Sequence, residues 1–259
     1  MADTLLTITL IGGPTALLEF GGLRLLTDPT FSPPGAYQSG SVTLTKVRGP
    51  AIAAEALPPI DVVLLSHDQH ADNLDDAGRA LLAHAKRVIT TSSGAGRLGG
   101  HVEGLVPWQT TNIAVPGNRQ MQVTATPARH GPAGIEPITG EVVGFVLALE
   151  DQPDHAIYIT GDTVWYSGVA EVARRFNVTA VLAYAGAART RGPIHLTMDT
   201  NEVIETASAF PHATIVPLHH EGWAHFTESQ TDIAKAFAVV GLSSRLQLLE
   251  PGVAVNLKV

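Results

Sequence analysis

The residues of this chain best suited to chemistry lie in four histidine- and acid-bearing stretches. The densest is Ser66-His67-Asp68-Gln69-His70-Ala71-Asp72-Asn73-Leu74-Asp75, directly after the apolar run Val62 to Leu65. Imidazole nitrogen and carboxylate oxygen are ligands that a divalent ion such as zinc prefers. The chain has no cysteine, so a metal here must be held by N and O. The other three stretches place His130 after Val123 to Arg129, Asp162 after Tyr158-Ile159-Thr160-Gly161, and His219 and His220 after Ile215-Val216-Pro217-Leu218. Taken singly, a histidine after a strand reads as a hydrogen-bonded structural residue, and an Asp before Thr or Asn as a cap or turn former. The argument for a shared site is joint: all four fall where predicted strands run out, and loops at strand ends converge on one edge of a sheet.

Short apolar runs set off by glycine predict strands at Leu5 to Leu10, Thr15 to Phe20 and Leu23 to Thr27. Phe31 to Ser41, with Pro33-Pro34-Gly35, reads as a loop. Val62 to Leu65 has the pattern of a strand buried on both faces. Leu74, Ala77, Leu81, Leu82 and Ala85 have helical spacing up to Lys86, with Asp72 and Asn73 as capping candidates. The cluster therefore sits at a strand-to-helix junction. Further strands are expected at Val88 to Thr91, Met121 to Thr126, Val142 to Leu149, Ala156 to Thr160, Val178 to Tyr184, Thr214 to Leu218 and Gln247 to Leu249. Helices are expected at Gly168 to Phe176, Thr200 to Ala209 and Glu228 to Val240, and Gly94 to Gly104 reads as loop or poor helix. Strands first and βαβ-like units afterwards fit a mixed α/β sandwich, with residues 1–259 as one domain.

Composition narrows the function. With 45% apolar residues over 259 positions the chain can fill a sizeable core. A net charge of -8 argues against a broad basic surface for nucleic acid or anionic lipid. No apolar run approaches the ~20 residues needed to cross a bilayer, and Met1 to Thr7 lacks a signal-peptide pattern, so a cytoplasmic protein is expected.

The order of the four stretches resembles the metallo-β-lactamase-fold hydrolases over nearly the whole chain. Leu25-Leu26-Thr27-Asp28-Pro29 and Pro217-Leu218-His219 with Gly222-Trp223 look most like the branch containing L-ascorbate-6-phosphate lactonase. The resemblance implies a four-layer αββα sandwich, with metal at one edge between the sheets. It also implies a junction reading H-x-H-x-D-H, followed by a histidine, a bridging aspartate and a final histidine, carried here onto His130, Asp162 and His219. His220 is then a neighbour.

The junction departs from that pattern. Starting at His67 puts Gln69 where the second histidine belongs, whereas aligning its end puts Asn73 where the last one belongs; one extra residue lies between. His70 is expected to swing in for the missing imidazole. The expected ligands are His67, His70 and His130 for a first ion, with Asp72, Asp162 and His219 around a second position that neutral Asn and Gln would weaken. Zinc is the expected ion, one or two per chain, with manganese or iron as alternatives.

Such an ion brings the pKa of its water towards ~7 and polarises a carbonyl or phosphoryl oxygen. Asp72, with His70 beside it, is the candidate for orienting that water and moving its proton. Asp68 and Asp75 are candidates for fixing histidine tautomers. His195, Trp223 and His225 are candidates for lining a substrate pocket, Tyr166 and Trp165 offer an apolar wall, and Arg129 is a candidate for meeting an anion. The expectation is a small-molecule hydrolase acting on a lactone, ester, amide or phosphodiester, with no nucleic-acid or membrane partner and room for a homo-oligomer. The competing reading is a metal-poor or metal-free member of the fold, acting as a small-molecule binding protein or a non-hydrolytic biosynthetic enzyme. Nuclease activity is disfavoured by the acidic charge.

Overall fold

In the computed structural model, which describes residues 5–259, an alternating pattern builds the first sheet. Leu6, Ile8 and Leu10 are buried in one strand at a period of two, as a strand with one core face requires. Met1 to Thr4, part of the stretch read for a signal pattern, lie outside the described residues. The chain runs β1 (Leu5–Gly12), β2 (Thr15–Phe20), β3 (Leu23–Thr27), β4 (Gly35–Ser39), β5 (Val42–Lys46), β6 (Val62–Leu64), α1 (Asp76–Leu81), β7 (Arg87–Thr91), α2 (Ser92–Leu98) and β8 (Val102–Leu105). It continues with β9 (Thr110–Val115), β10 (Arg119–Pro127), α3 (Glu136–Thr139), β11 (Val143–Leu149), β12 (Gln152–Ile159), α4 (Ser167–Arg175) and β13 (Val178–Tyr184). It closes with α5 (Thr200–Ala209), β14 (Thr214–Leu218), α6 (Gln230–Val239) and β15 (Ala254–Lys258).

Two sheets result, in the orders β15-β1-β2-β3-β6-β7-β8 and β14-β13-β12-β11-β10-β9. Leu18, Leu25 and Val62 of the first meet Val123, Phe145, Leu182 and Val216 of the second in one buried cluster. On the outer face of the first sheet, Leu81 and Leu82 cover Val63, Leu65 and Val88. On the outer face of the second, Val169 and Val172 of α4, Val203 of α5 and Phe237 of α6 cover Tyr158, Val181 and Ile215. The layers are helix, sheet, sheet, helix, the expected αββα sandwich. Each large apolar side chain so buried is worth roughly 1.5–3 kcal/mol against exposure. Among the described residues, no helix is long and apolar enough to cross a membrane.

Three expected segments come out differently, and β5, β9 and α3 lie where no element was expected. The predicted loop over Phe31 to Ser41 instead holds β4, paired antiparallel with β5. Its two prolines precede the strand, and Gly40 (φ +56°) supplies the turn, so nothing blocks the ladder. Gly94 to Gly104 holds the end of α2 and most of β8, with α2 started by Thr91, whose hydroxyl accepts from the Gly94 amide at 2.9 Å. The closing strand is β15 rather than Gln247 to Leu249. Leu246, just before that segment, makes a single bridge to Ile215, the Gln247 amide donates to the Ile215 carbonyl at 2.9 Å, and after Pro251-Gly252 the chain turns back to pair with β1.

Candidate metal centre

Four of the loops that leave strand ends meet at one rim. β12 runs parallel to β13, which runs parallel to β14, and β10 is two antiparallel steps from β12, so the ends of β10, β12 and β14 emerge together. The end of β6 faces them from the other sheet. Its loop is fixed by Asp28: the Ser66 amide donates to Asp28 Oδ1 at 2.6 Å, and the Tyr184 hydroxyl donates to Asp28 Oδ2 at 2.6 Å. Burial pushes the Asp28 carboxyl up to about 7, against these two hydrogen bonds. Asp28 (φ +27°), Ala187 (φ +48°) and His219 (φ +56°) all have left-handed backbone, a strain of order 1–3 kcal/mol each that surrounding contacts must hold in place.

The extra residue of the junction turns away. A Cβ on Gly140 would collide with the Gln69 amide, so Gln69 lies packed on that glycine and His70 comes forward. His70 Nδ1 stands 2.8 Å from His67 Nε2 and 3.1 Å from His130 Nε2. His130 Nε2 is 3.4 Å from Asp162 Oδ2. The ligand-type atoms of these four residues all lie within 4.8 Å of one another. His130 Nδ1 donates to the Leu196 carbonyl at 2.8 Å, which leaves the Nε2 lone pair facing the group.

Burial, and then the neighbouring His70, hold His67 well below the usual histidine value; burial and His130 bring His70 down to about 4. Both therefore present lone pairs rather than positive charge at neutral pH. Burial opposes ionisation of Asp162, but His219 and His130 overcome it and keep the carboxylate ionised. Asp162 Oδ2, though buried, has no hydrogen-bond partner among the described residues. Three lone-pair nitrogens and an orphaned carboxylate oxygen, 2.8–3.4 Å from their neighbours, suit a divalent cation, whose bonds of about 2.0–2.2 Å set its ligands about 3–3.5 Å apart. The residues fit the group.

The beta-lactamase superfamily domain matches residues 23–220, from β3 through the last histidine stretch. The chain belongs to that superfamily. A relative within it, the UPF0173 protein YddR of Bacillus subtilis (strain 168), is 24% identical over 257 residues, covering 95% of this chain and 98% of its own. A UPF0173 metal-dependent hydrolase of Caldivirga maquilingensis is 25% identical over 244 residues, covering 93% and 94%. The crystal structure of an isothiocyanate hydrolase from Delia radicum gut bacteria superposes with a TM-score of 0.83 at 22% identity, over 96% of this chain and 98% of that one. CmlA, a diiron β-hydroxylase from Streptomyces venezuelae, gives 0.66 at 15%, over 99% of this chain and 54% of that one. These likenesses show the metallo-β-lactamase fold; chemistry has to be argued from the site.

Against this superfamily frame the other sequence candidates divide. Asp72 and His219 reach the rim: His219 Nε2 is 3.6 Å from Asp72 Oδ2 and 3.4 Å from Asp162 Oδ1. Burial disfavours a charged His219, but Asp162 and Asp72 raise it to about 10. Burial likewise disfavours ionised Asp72, yet His219 and His225 hold it well below the usual carboxylate range. His225 does line the cleft above the cluster, with Nε2 2.9 Å from Asp72 Oδ2. His220 is buried beside it, and burial lowers its pKa.

His195 is not brought in. It pairs with Glu202 at 3.2 Å, because the capping box between Asp199 and Glu202 fixes that carboxylate at the start of α5. Trp223 does not itself line the cleft: it packs edge-on against Tyr37 and beneath Lys46, and backs His225 with ring centroids 6.2 Å apart. Arg129 stacks on Tyr166 at 4.5 Å rather than meeting an anion.

Neither Asp72 nor Asn73 caps α1. Asp75 does, accepting from the Gly78 amide, and it also takes the Phe31 and Ser32 amides and Lys46 Nζ. Asp68 is taken by Arg97 of α2 at 2.6 Å, so neither Asp68 nor Asp75 orients a site histidine. The groups that do the orienting, the Leu196 carbonyl on His130 and the Ser66 hydroxyl on His67, and Asp28, which holds the Ser66 amide, were missed. A carboxylate straight after β3 was the signal for Asp28; a backbone carbonyl leaves none.

Proposed function

We propose that this chain is a metal-dependent hydrolase of small molecules, with zinc as the ion and manganese or iron as alternatives for the same N and O ligands. The observation that carries this reading is the buried convergence of His67 Nε2, His70 Nδ1, His130 Nε2 and Asp162 Oδ2. When bound, the ion supplies Lewis acidity and an activated water at neutral pH.

The chain's own residues contribute placement. The Leu196 carbonyl and Ser66 hydroxyl orient the rings of His130 and His67 through their Nδ1 atoms. Asp72, ionised and buried in the cleft lining, is placed to orient the attacking water through a carboxylate oxygen. Val42, Leu44, Ala188 and Leu196 give the cleft apolar walls that exclude bulk water, with Ser39, Thr190 and Arg191 as its polar groups. A compact substrate with one polarisable carbonyl or phosphoryl centre suits that lining. A lactone, as the Thr27-Asp28-Pro29 and Pro217-Leu218-His219 resemblance suggests, comes first, followed by esters, amides and phosphodiesters. The isothiocyanate hydrolase that shares the fold adds isothiocyanates to the panel.

The test is metal analysis of protein purified without chelator, with that panel assayed before and after dialysis against chelator. Bound divalent metal and activity lost on dialysis, then regained with zinc, are expected. Metal-free protein whose activity ignores chelation would refute the reading.

A further inference from the structure

One arginine of the cleft is left without an acid. Arg191, half-buried in the loop between β13 and α5, lines the same cleft as His70, Asp72 and His130, and apart from histidines it is the only basic residue in that lining. Its Nη1 donates to the hydroxyl of Ser41, in the turn of the β4–β5 hairpin, at 3.0 Å; the rest of the guanidinium has no partner among the described residues. Every other arginine of the described residues has a carboxylate or backbone carbonyl partner, except Arg189, which is exposed and outside the lining. With 24 acidic against 16 basic residues the chain does not lack acids to pair with. Asp72, the one acid of the lining, is engaged by His219 and His225 instead.

We propose that Arg191 is the specificity-determining residue of this cleft and selects substrates that carry a carboxylate as well as the electrophilic centre. The inference rests on the reading of the cluster as a hydrolytic metal centre and narrows its substrate class. A planar guanidinium pairs with a carboxylate through two parallel N–H···O bonds, and its single positive charge matches a single negative one. A dianionic phosphate would call for a second cation, which the lining does not hold.

An independent observation points the same way. Ser39, also in the lining, is 2% exposed, and its oxygen accepts from the Ala71 amide at 3.2 Å, which leaves its O–H with no acceptor among the described residues. A buried donor is costly to leave unpaired, and an anion in the cleft supplies the acceptor. Ser39 ends β4 and Arg191 follows β13, so donors reach the cleft from two separate elements. The bond from Arg191 to Ser41 has a neutral acceptor and is weaker than a charge-assisted pair. It keeps the guanidinium at the cleft without competing with a carboxylate.

The test compares a γ-butyrolactone bearing a ring carboxylate with the same lactone bearing a carboxamide, on the zinc-loaded full chain. In wild type kcat/KM should favour the carboxylate by about 10- to 100-fold, the worth of a charge-assisted hydrogen-bonded pair, with the difference in KM. Arg191→Gln should abolish that preference through KM, and Arg191→Lys, which keeps the charge but loses the fork, should retain part of it. A wild type that does not distinguish the two lactones would overturn the proposal. So would a preference that survives in Arg191→Gln, as when the ion itself takes the carboxylate, or one lost through kcat with KM unchanged. If neither lactone turns over, their dissociation constants from calorimetry replace kcat/KM and decide Arg191 by the same ratios. The hydrolase reading stands or falls separately, on the chelation experiment with its own panel.

Discussion

Asp28 links the two sheets one layer beneath the ligands, and its protonation has a measurable consequence. Its oxygens accept from the Ser66 amide of one sheet and the Tyr184 hydroxyl of the other. Burial places its pKa at about 7, above the value of about 4 of an exposed carboxyl. The native state therefore keeps a proton that the unfolded chain releases between those two values. Stability from Asp28 is complete below about pH 4, declines as pH rises to about 7, and is level above that. Asp28→Asn retains the shape and removes the titration. Oδ1 can still accept from Ser66, while Nδ2 donates to the Tyr184 oxygen and the hydroxyl turns to the Pro14 carbonyl, already 3.2 Å away. In chelator-treated protein the variant should therefore gain on wild type by up to about 4 kcal/mol as pH rises from 4 to 8. Urea unfolding at both ends of that range checks this; parallel pH profiles would rule out a protonated Asp28.

At the scale of elements, the junction loop depends on Gly140. The residue has φ +85°, and any side chain there meets the Gln69 amide. Gly140→Ala should cost about 1–3 kcal/mol and, by displacing Gln69, pull His70 out of register, so that metal affinity falls together with stability. Titration with zinc alongside a denaturation curve reads both, and unchanged affinity would show that His70 is placed independently of its neighbour. The β4–β5 hairpin depends on Lys46, buried against Asp75 at 3.0 Å and the Thr30 carbonyl. Lys46→Met leaves Asp75 its three backbone donors, so the loss should lie at the low end for a broken buried pair, about 3 kcal/mol, with metal stoichiometry unchanged. These dependencies also explain what could be read from sequence. Thr200–Ala209 and Thr214–Leu218 were legible to the residue because the spacing of apolar residues is a local signal. Which of Asp68, Asp72, Asn73 and Asp75 caps α1 was not legible. The choice is made by Arg97 and Lys46, which approach from other elements. His195 and His225 were indistinguishable as candidates for the same reason: Glu202 holds one and Asp72 receives the other.

At the scale of the whole molecule, the candidate ligands are divided between the sheets. His67 and His70 follow β6 of the first, whereas His130, Asp162 and His219 follow β10, β12 and β14 of the second. An ion at the rim therefore ties together two layers that are otherwise joined mainly by the apolar cluster between them and by the Asp28 contacts. Such an ion binds the native arrangement and finds no equivalent in the unfolded chain. It stabilises by RT ln(1 + [L]/Kd), about 4 kcal/mol at a thousandfold excess over Kd. Chelation should accordingly lower the unfolding midpoint by several degrees, and added zinc should restore it in a concentration-dependent way. The far-UV circular dichroism of the chelated protein should stay native, because neither sheet owes its hydrogen-bond ladder or its helical cover to the ligands. An unchanged midpoint in protein shown to have lost its metal would mean that the ion sits on one sheet alone, against the rim geometry described above. A loss of secondary structure would mean instead that the interlayer core is too weak to hold the sandwich without its metal.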